Sequence, residues 1–238
     1  ESSAASEVYK RQVLYRAGHT EAGCDLASLA GTTPASVICE ILNDDGSMAR
    51  LPDLIKFSKK HGIKIGTIAD LIEYRSKKEK LIKKISEEEV STEFGMMKLI
   101  VYSDLLSKNT HLAFVKGTIK KDDEVVVRVH EPLSILDFVS KETPHSWPPL
   151  KALKKISDEK NGVVIFLNYN ESQNNITSKL NHENITLKKS TDLRSYGIGS
   201  QILVDIGVSK MKLLAAPRKM PSMAGYGLQV TEFIENNI

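Results

Sequence analysis

The chain has 238 residues, 41% of them hydrophobic and 26% charged, with 33 Lys and Arg against 30 Asp and Glu. Such a composition predicts a soluble globular protein of one large or two small domains, and a net charge of +3 leaves no electrostatic footprint for nucleic acid or a membrane surface. Two cysteines, Cys24 and Cys39, form neither a disulfide framework nor a CxxC pair, and both read as buried thiols of a reduced, cytoplasmic protein.

In chain order, residues 1–12 are polar, Ser- and Ala-rich and share no apolar period with the strand and helix after them. They are expected to be non-native or unstructured, since SEVYKRQ resembles translated sequencing-adapter sequence at the broken end of a gene fragment. No apolar stretch long enough for a membrane span or a signal peptide is present. Val13 to Tyr15 reads as a short strand and Thr20 to Gly31 as a helix with Ala22, Leu26, Leu29 and Ala30 on one face. Ala35 to Leu42 is an apolar run, Asn43 to Gly46 a turn, and Pro52 to Gly62 an amphipathic helix stopped by glycine. A short strand over Ile63 to Ile65 and a helix over Thr67 to Arg75 complete an α/β-like first unit over residues 13–78.

Residues 79–92 lie in a charged stretch and are expected to be a solvated linker. Beyond it, 93–238 reads as a second domain. Its expected mainly antiparallel sheet comprises Glu93–Ser103, His111–Ile119 and Glu124–His130. The remaining elements are a helix at Leu150–Ser157, a buried strand at Val163–Leu167, a helix at Gly197–Ile206 and a final strand at Lys210–Ala215. The fold class is therefore α+β.

Chemistry concentrates at Arg16-Ala17-Gly18-His19-Thr20, where a guanidinium, an imidazole and a hydroxyl meet at a helix start. Unpaired N–H groups and the positive end of the helix dipole suit an anionic sugar there. Arg16 can bind phosphate through its planar fork, and His19 can ligate a metal or move a proton. An N-capping Thr20 beside a surface histidine is the competing explanation. Glu40, inside Val37-Ile-Cys-Glu-Ile41, is expected to be buried and hence paired, metal-bound or protonated, with a structural salt bridge as the alternative.

RAGHTEA followed by DLA, then ICEILNDDGSMARLPDL and HGIKIGTIADLIEYR, is similar almost word for word to the C-terminal half of 3,4-dihydroxy-2-butanone-4-phosphate synthases. The resemblance implies Mg²⁺- or Mn²⁺-dependent conversion of ribulose 5-phosphate to the butanone phosphate and formate in riboflavin biosynthesis, by a homodimer. It implies that Arg16 to Thr20 and Glu40 bind substrate, that His19 ligates the metal, and that Glu40 and His19 are catalytic. The family's other metal ligand, in an acidic N-terminal loop, has no counterpart here, so the chain alone is expected to be inactive.

From about Lys98 the chain resembles GTP cyclohydrolase II, through HLAFVKG at 111–117, VRVH at 127–130, DLRSYGIGSQIL at 192–203 and GYG at 225–227. The family's three zinc cysteines should come after the RVH segment, yet no cysteine occurs after Cys39. Its Arg- and Gly-rich phosphate segment is replaced by Asn168-Tyr-Asn-Glu-Ser-Gln-Asn-Asn175. Asp192, Arg194 and Lys219 remain as vestigial cyclohydrolase positions, with a helix cap as the alternative explanation for the first two. His130, Asp137 and His145 match no common metal spacing and are expected at the surface, and zinc is not expected. A bifunctional enzyme that also opens GTP and a non-catalytic regulatory protein are the alternatives.

Overall fold

The computed structural model describes residues 12–14, 16–105, 107–131, 136–139, 147–168 and 189–236, without the side chains of 136, 139, 189–196, 221 and 222. Its centre is a seven-stranded mixed sheet in the order β1-β2-β3-β5-β4-β6-β7. The strands are β1 (Ile82–Thr92), β2 (Gly95–Asp104), β3 (Thr110–Lys116), β4 (Glu124–His130), β5 (Gly162–Phe166), β6 (Lys210–Leu214) and β7 (Gln229–Ile234). β1, β2, β3 and β5 pair antiparallel, whereas β5, β4, β6 and β7 pair parallel. The sheet is thus half parallel rather than mainly antiparallel, and β6 is not the last strand. Val125-Val-Val127 and Val163-Val-Ile165 already carry the cause, because parallel strands covered on both faces read as unbroken apolar runs.

Alternation along those strands divides the core. Val125, Val127, Val163 and Ile165 pack with Ile198, Ile202 and Leu203 of a long helix on one face. Val126, Val164 and Phe166 pack with Ala152, Leu153, Ile156 and Trp147 on the other. Numbered in chain order, the helices are α1 (His19–Leu29), α2 (Leu51–His61), α3 (Ile68–Ser76), the single turn α4 (Leu136–Val139), α5 (Pro149–Ser157) and α6 (Lys189–Ile206), with a 3₁₀ turn at Pro221–Tyr226. α2 ends on Gly62 at φ 65°, the left-handed stop its sequence announces. Thr67 and Asp70 cap α3 reciprocally.

Five expectations are corrected. Residues 82–92, inside the expected linker, form β1, an edge strand paired along β2. Its Lys83, Lys84, Glu87, Glu88 and Glu89 keep a sheet edge from pairing with another chain, which gives an edge strand the composition of a linker. Residues 13–14 form a buried turn and residues 63–65 an exposed connection, not strands. Asp192 and Arg194 lie within α6 instead of capping it. Cys24 is buried, but Cys39 is exposed.

The first unit is built the other way round from its amphipathic pattern. In α1 the buried residues are Glu21, Cys24 and Asp25, while Leu26 and Leu29 are 58% and 47% exposed. Among the described residues the apolar run at 35–42 has no strand partner beyond a small hairpin joining Leu42 to Met48, and Val37 is fully exposed. Burial instead comes from Val13, Leu14 and Ile72, which join the core on the α6 face of the sheet.

Candidate active site

Gly18, in extended conformation, is the N-cap of α1, and its carbonyl accepts from the Ala22 N–H at 2.9 Å. Glu21, in the first turn, folds back so that its carboxylate lies 3.5 Å from the Arg16 guanidinium, with the Glu21 side chain buried and Arg16 half exposed. A Cβ on Gly18 would stand 2.3 Å from that carboxylate, so the close approach that glycine permits here is that of Glu21. Thr20 lies inside the helix and is no cap; with His19 it faces solvent.

Glu40 is exposed, contrary to the expectation of a buried carboxylate, because no strand in the described residues pairs with residues 35–40. The run nevertheless crosses α1 closely: a Cβ on Gly23 would meet Ser36 Oγ at 2.1 Å. The structure thus brings together Arg16, Gly18 and Glu21, and gives Glu40 no hydrogen bond to them. Among the described residues no group of three His, Cys, Asp or Glu side chains could enclose a metal. His19 can supply one ligand, and these residues alone do not fit a Mg²⁺ site, which needs an octahedral shell.

Behind the site runs a buried ionic network that sequence reading missed. Arg75 of α3 pairs with Asp25 of α1 and with Glu79, and Asp25 Oδ2 also accepts from the Val13 N–H at 2.8 Å. Burial opposes the Arg75 charge, but its bonds to Glu79 and Asp25 outweigh that and raise its pKa. Arg75 and Glu79 stand four residues apart, which is the signal the sequence held. Asp25 gave no such signal: it borders the apolar stripe of α1, on the side where Glu21 and Cys24 are buried.

In the second domain, His130 Nε2 and Asp137 Oδ2 lie 3.0 Å apart, both buried, with the His130 ring edge-on to Phe166. They are interior rather than surface residues, because His130 ends β4, a strand covered on both faces. Arg128 is also buried, donating to the Leu214 carbonyl at 2.9 Å. Desolvation, helped by Arg218, pushes its pKa down to about 10. Lys219 is exposed. The side chains of Asp192 and Arg194, all of His145 and residues 169–175 lie outside the described residues.

Residues 83–235 match the GTP cyclohydrolase II family and residues 7–74 match the 3,4-dihydroxy-2-butanone 4-phosphate synthase family. The chain belongs to the GTP cyclohydrolase II family and carries a synthase-family segment ahead of it. The synthase match reaches back to residue 7, inside the stretch read as non-native.

Among relatives, a 3,4-dihydroxy-2-butanone 4-phosphate synthase of Neisseria meningitidis serogroup B is 48% identical over 226 residues, 95% of this chain and 62% of that protein. The riboflavin biosynthesis protein RibBA of Aquifex aeolicus is 43% identical over 92% of this chain and 58% of its own length. The crystal structure of RibBX, a two-domain 3,4-dihydroxy-2-butanone 4-phosphate synthase from A. baumannii, superposes with a TM-score of 0.59 at 39% identity, over 94% of this chain and 61% of that one. The chain therefore spans about three fifths of the curated relatives it matches. Its cyclohydrolase-family part carries Arg128 and His130 at the end of β4 and has no cysteine in its sequence.

Proposed function

We propose that the full-length protein containing this chain is a 3,4-dihydroxy-2-butanone-4-phosphate synthase. It converts ribulose 5-phosphate to the butanone phosphate and formate in a cytoplasmic homodimer with Mg²⁺ or Mn²⁺, and its cyclohydrolase-family domain does no GTP chemistry. The observation that carries this reading is a site and a helix each half built. Arg16, His19 and Thr20 stand open at the start of α1, and the apolar side of α1 with the run at 35–42 stands uncovered, in a chain three fifths the length of its relatives.

Within the chain, Arg16 is held by Glu21 with half its surface free, so its fork can take a phosphate or a hydroxyl of the sugar. The free N–H groups of the first turn of α1 favour the same anion. Glu40, solvated here, is the proton-transfer group once covered. His19 offers one ligand to the metal. The rest of that site, and the cover over Leu26, Leu29 and Val37, belong to the remaining length of the protein.

Two measurements on the 238-residue chain test this. It should release no formate from ribulose 5-phosphate with Mg²⁺, and it should contain substoichiometric zinc and leave GTP intact. Stoichiometric zinc with formate release from GTP would make the protein bifunctional, and formate release from ribulose 5-phosphate by the chain alone would show the site complete.

A further inference from the structure

The two units are joined by a run of polar contacts that begins and ends on the cyclohydrolase-family domain. The Tyr226 hydroxyl donates to the Leu14 carbonyl at 3.1 Å. Val13, the preceding residue, donates its N–H to Asp25, which pairs with Arg75, which pairs with Glu79. The Glu79 carbonyl accepts from Gln201 Nε2 at 3.0 Å, and Gln201 Oε1 accepts from the Leu81 N–H at 2.7 Å. Gln201 sits on α6, as does Gly197, where a Cβ would stand 1.7 Å from the Leu14 carbonyl oxygen. A Cβ on Gly225 would likewise press into Ala69 and Ile72 of α3. Two glycines and two polar side chains of the second domain thus meet the first unit at backbone distance.

What this run holds is the approach to the site. The turn at 12–14 leads into it, with the Arg16 N–H donating to the Gln12 carbonyl at 2.9 Å. Asp25 stands in α1 itself, whose first turn carries His19, Thr20 and the Glu21 that restrains Arg16. With the apolar face of α1 uncovered, the polar run and the small core at Val13, Leu14 and Ile72 are what fix the pose of that helix among the described residues.

We propose that the cyclohydrolase-family domain serves as the positioning element of the synthase site. Tyr226, Gln201 and Gly197 act as positioning residues that set the turn at 12–14 and the direction of α1. This gives the domain a role that needs neither zinc nor nucleotide, and it rests on the synthase reading only for the consequence to catalysis.

The test has two arms. In the 238-residue chain, amide exchange is compared between the natural protein, Tyr226→Phe and Gln201→Glu. The first change removes the hydroxyl that donates to the Leu14 carbonyl without altering shape, and the second sets a carboxylate against the Glu79 carbonyl. Exchange over residues 12–22 should quicken about fivefold for Tyr226→Phe, the worth of one net hydrogen bond, and more for Gln201→Glu, with β4 and β5 unchanged. In the full-length protein, Tyr226→Phe should raise the KM for ribulose 5-phosphate about fivefold at nearly constant kcat, the mark of lost preorganisation in substrate binding. Exchange that quickens uniformly, or not at all over 12–22, overturns the positioning role, as does an unchanged KM in a protein that turns over. If the natural full-length protein releases no formate, the synthase reading falls while the exchange arm still decides the clamp.

Discussion

Helices α1 and α5 make the instructive comparison. Both are amphipathic in sequence, yet α5 buries Ala152, Leu153 and Ile156 on the sheet while α1 buries Glu21 and Asp25 and shows Leu26 and Leu29 to solvent. An apolar stripe records that a helix has a partner; it does not record that the partner lies in the same stretch of chain. α5 finds its partner in β5, whereas α1 is held by charge, through Asp25, Arg75 and Glu79.

The comparison can be broken most severely at that charge network. Arg75→Met leaves Asp25 buried beside an apolar group and should cost about 3–5 kcal/mol, read as a lowered urea midpoint. On the conventional side, Ile156→Ala opens a cavity between α5 and β5 and should cost about 2–5 kcal/mol by the same measurement. Arg128→Met is the contrast to Arg75: the fold disfavours the Arg128 charge, so its loss offsets the bond to Leu214, and the change should stay below about 1 kcal/mol. Leu26→Ala should change the 238-residue chain by under about 0.5 kcal/mol, yet cost about 2 kcal/mol or more in the full-length protein, where the synthase reading covers that face. Equal costs in the two would mean the face stays open in both.

The same contrast explains how far the sequence is legible. β2 to β5, α3 and α5 can be read from it because period, turn residues and burial agree within the chain, and α2 from Pro52 at its start and Gly62 at its stop, although it has no buried residue. β1 cannot, since the charges that protect a sheet edge are those of a linker. Glu40 is misplaced by its sequence because an apolar run implies burial only where something covers it, and nothing in the described residues does. The motif at Arg16 to Thr20 stands out in the sequence, but the contacts that hold it do not. Gly18 makes room for Glu21, and Tyr226 and Gln201 act on backbone atoms far away in sequence, where no local pattern points.

The proposed function gives the full-length protein synthase chemistry beside a cyclohydrolase-family domain without GTP chemistry. Formate release by the full-length protein, offered ribulose 5-phosphate with Mg²⁺ and separately GTP, measures it directly. Formate from the sugar phosphate alone, abolished in His19→Ala, is the predicted result. Formate from GTP, or a His19→Ala protein as active as the natural one, would contradict it.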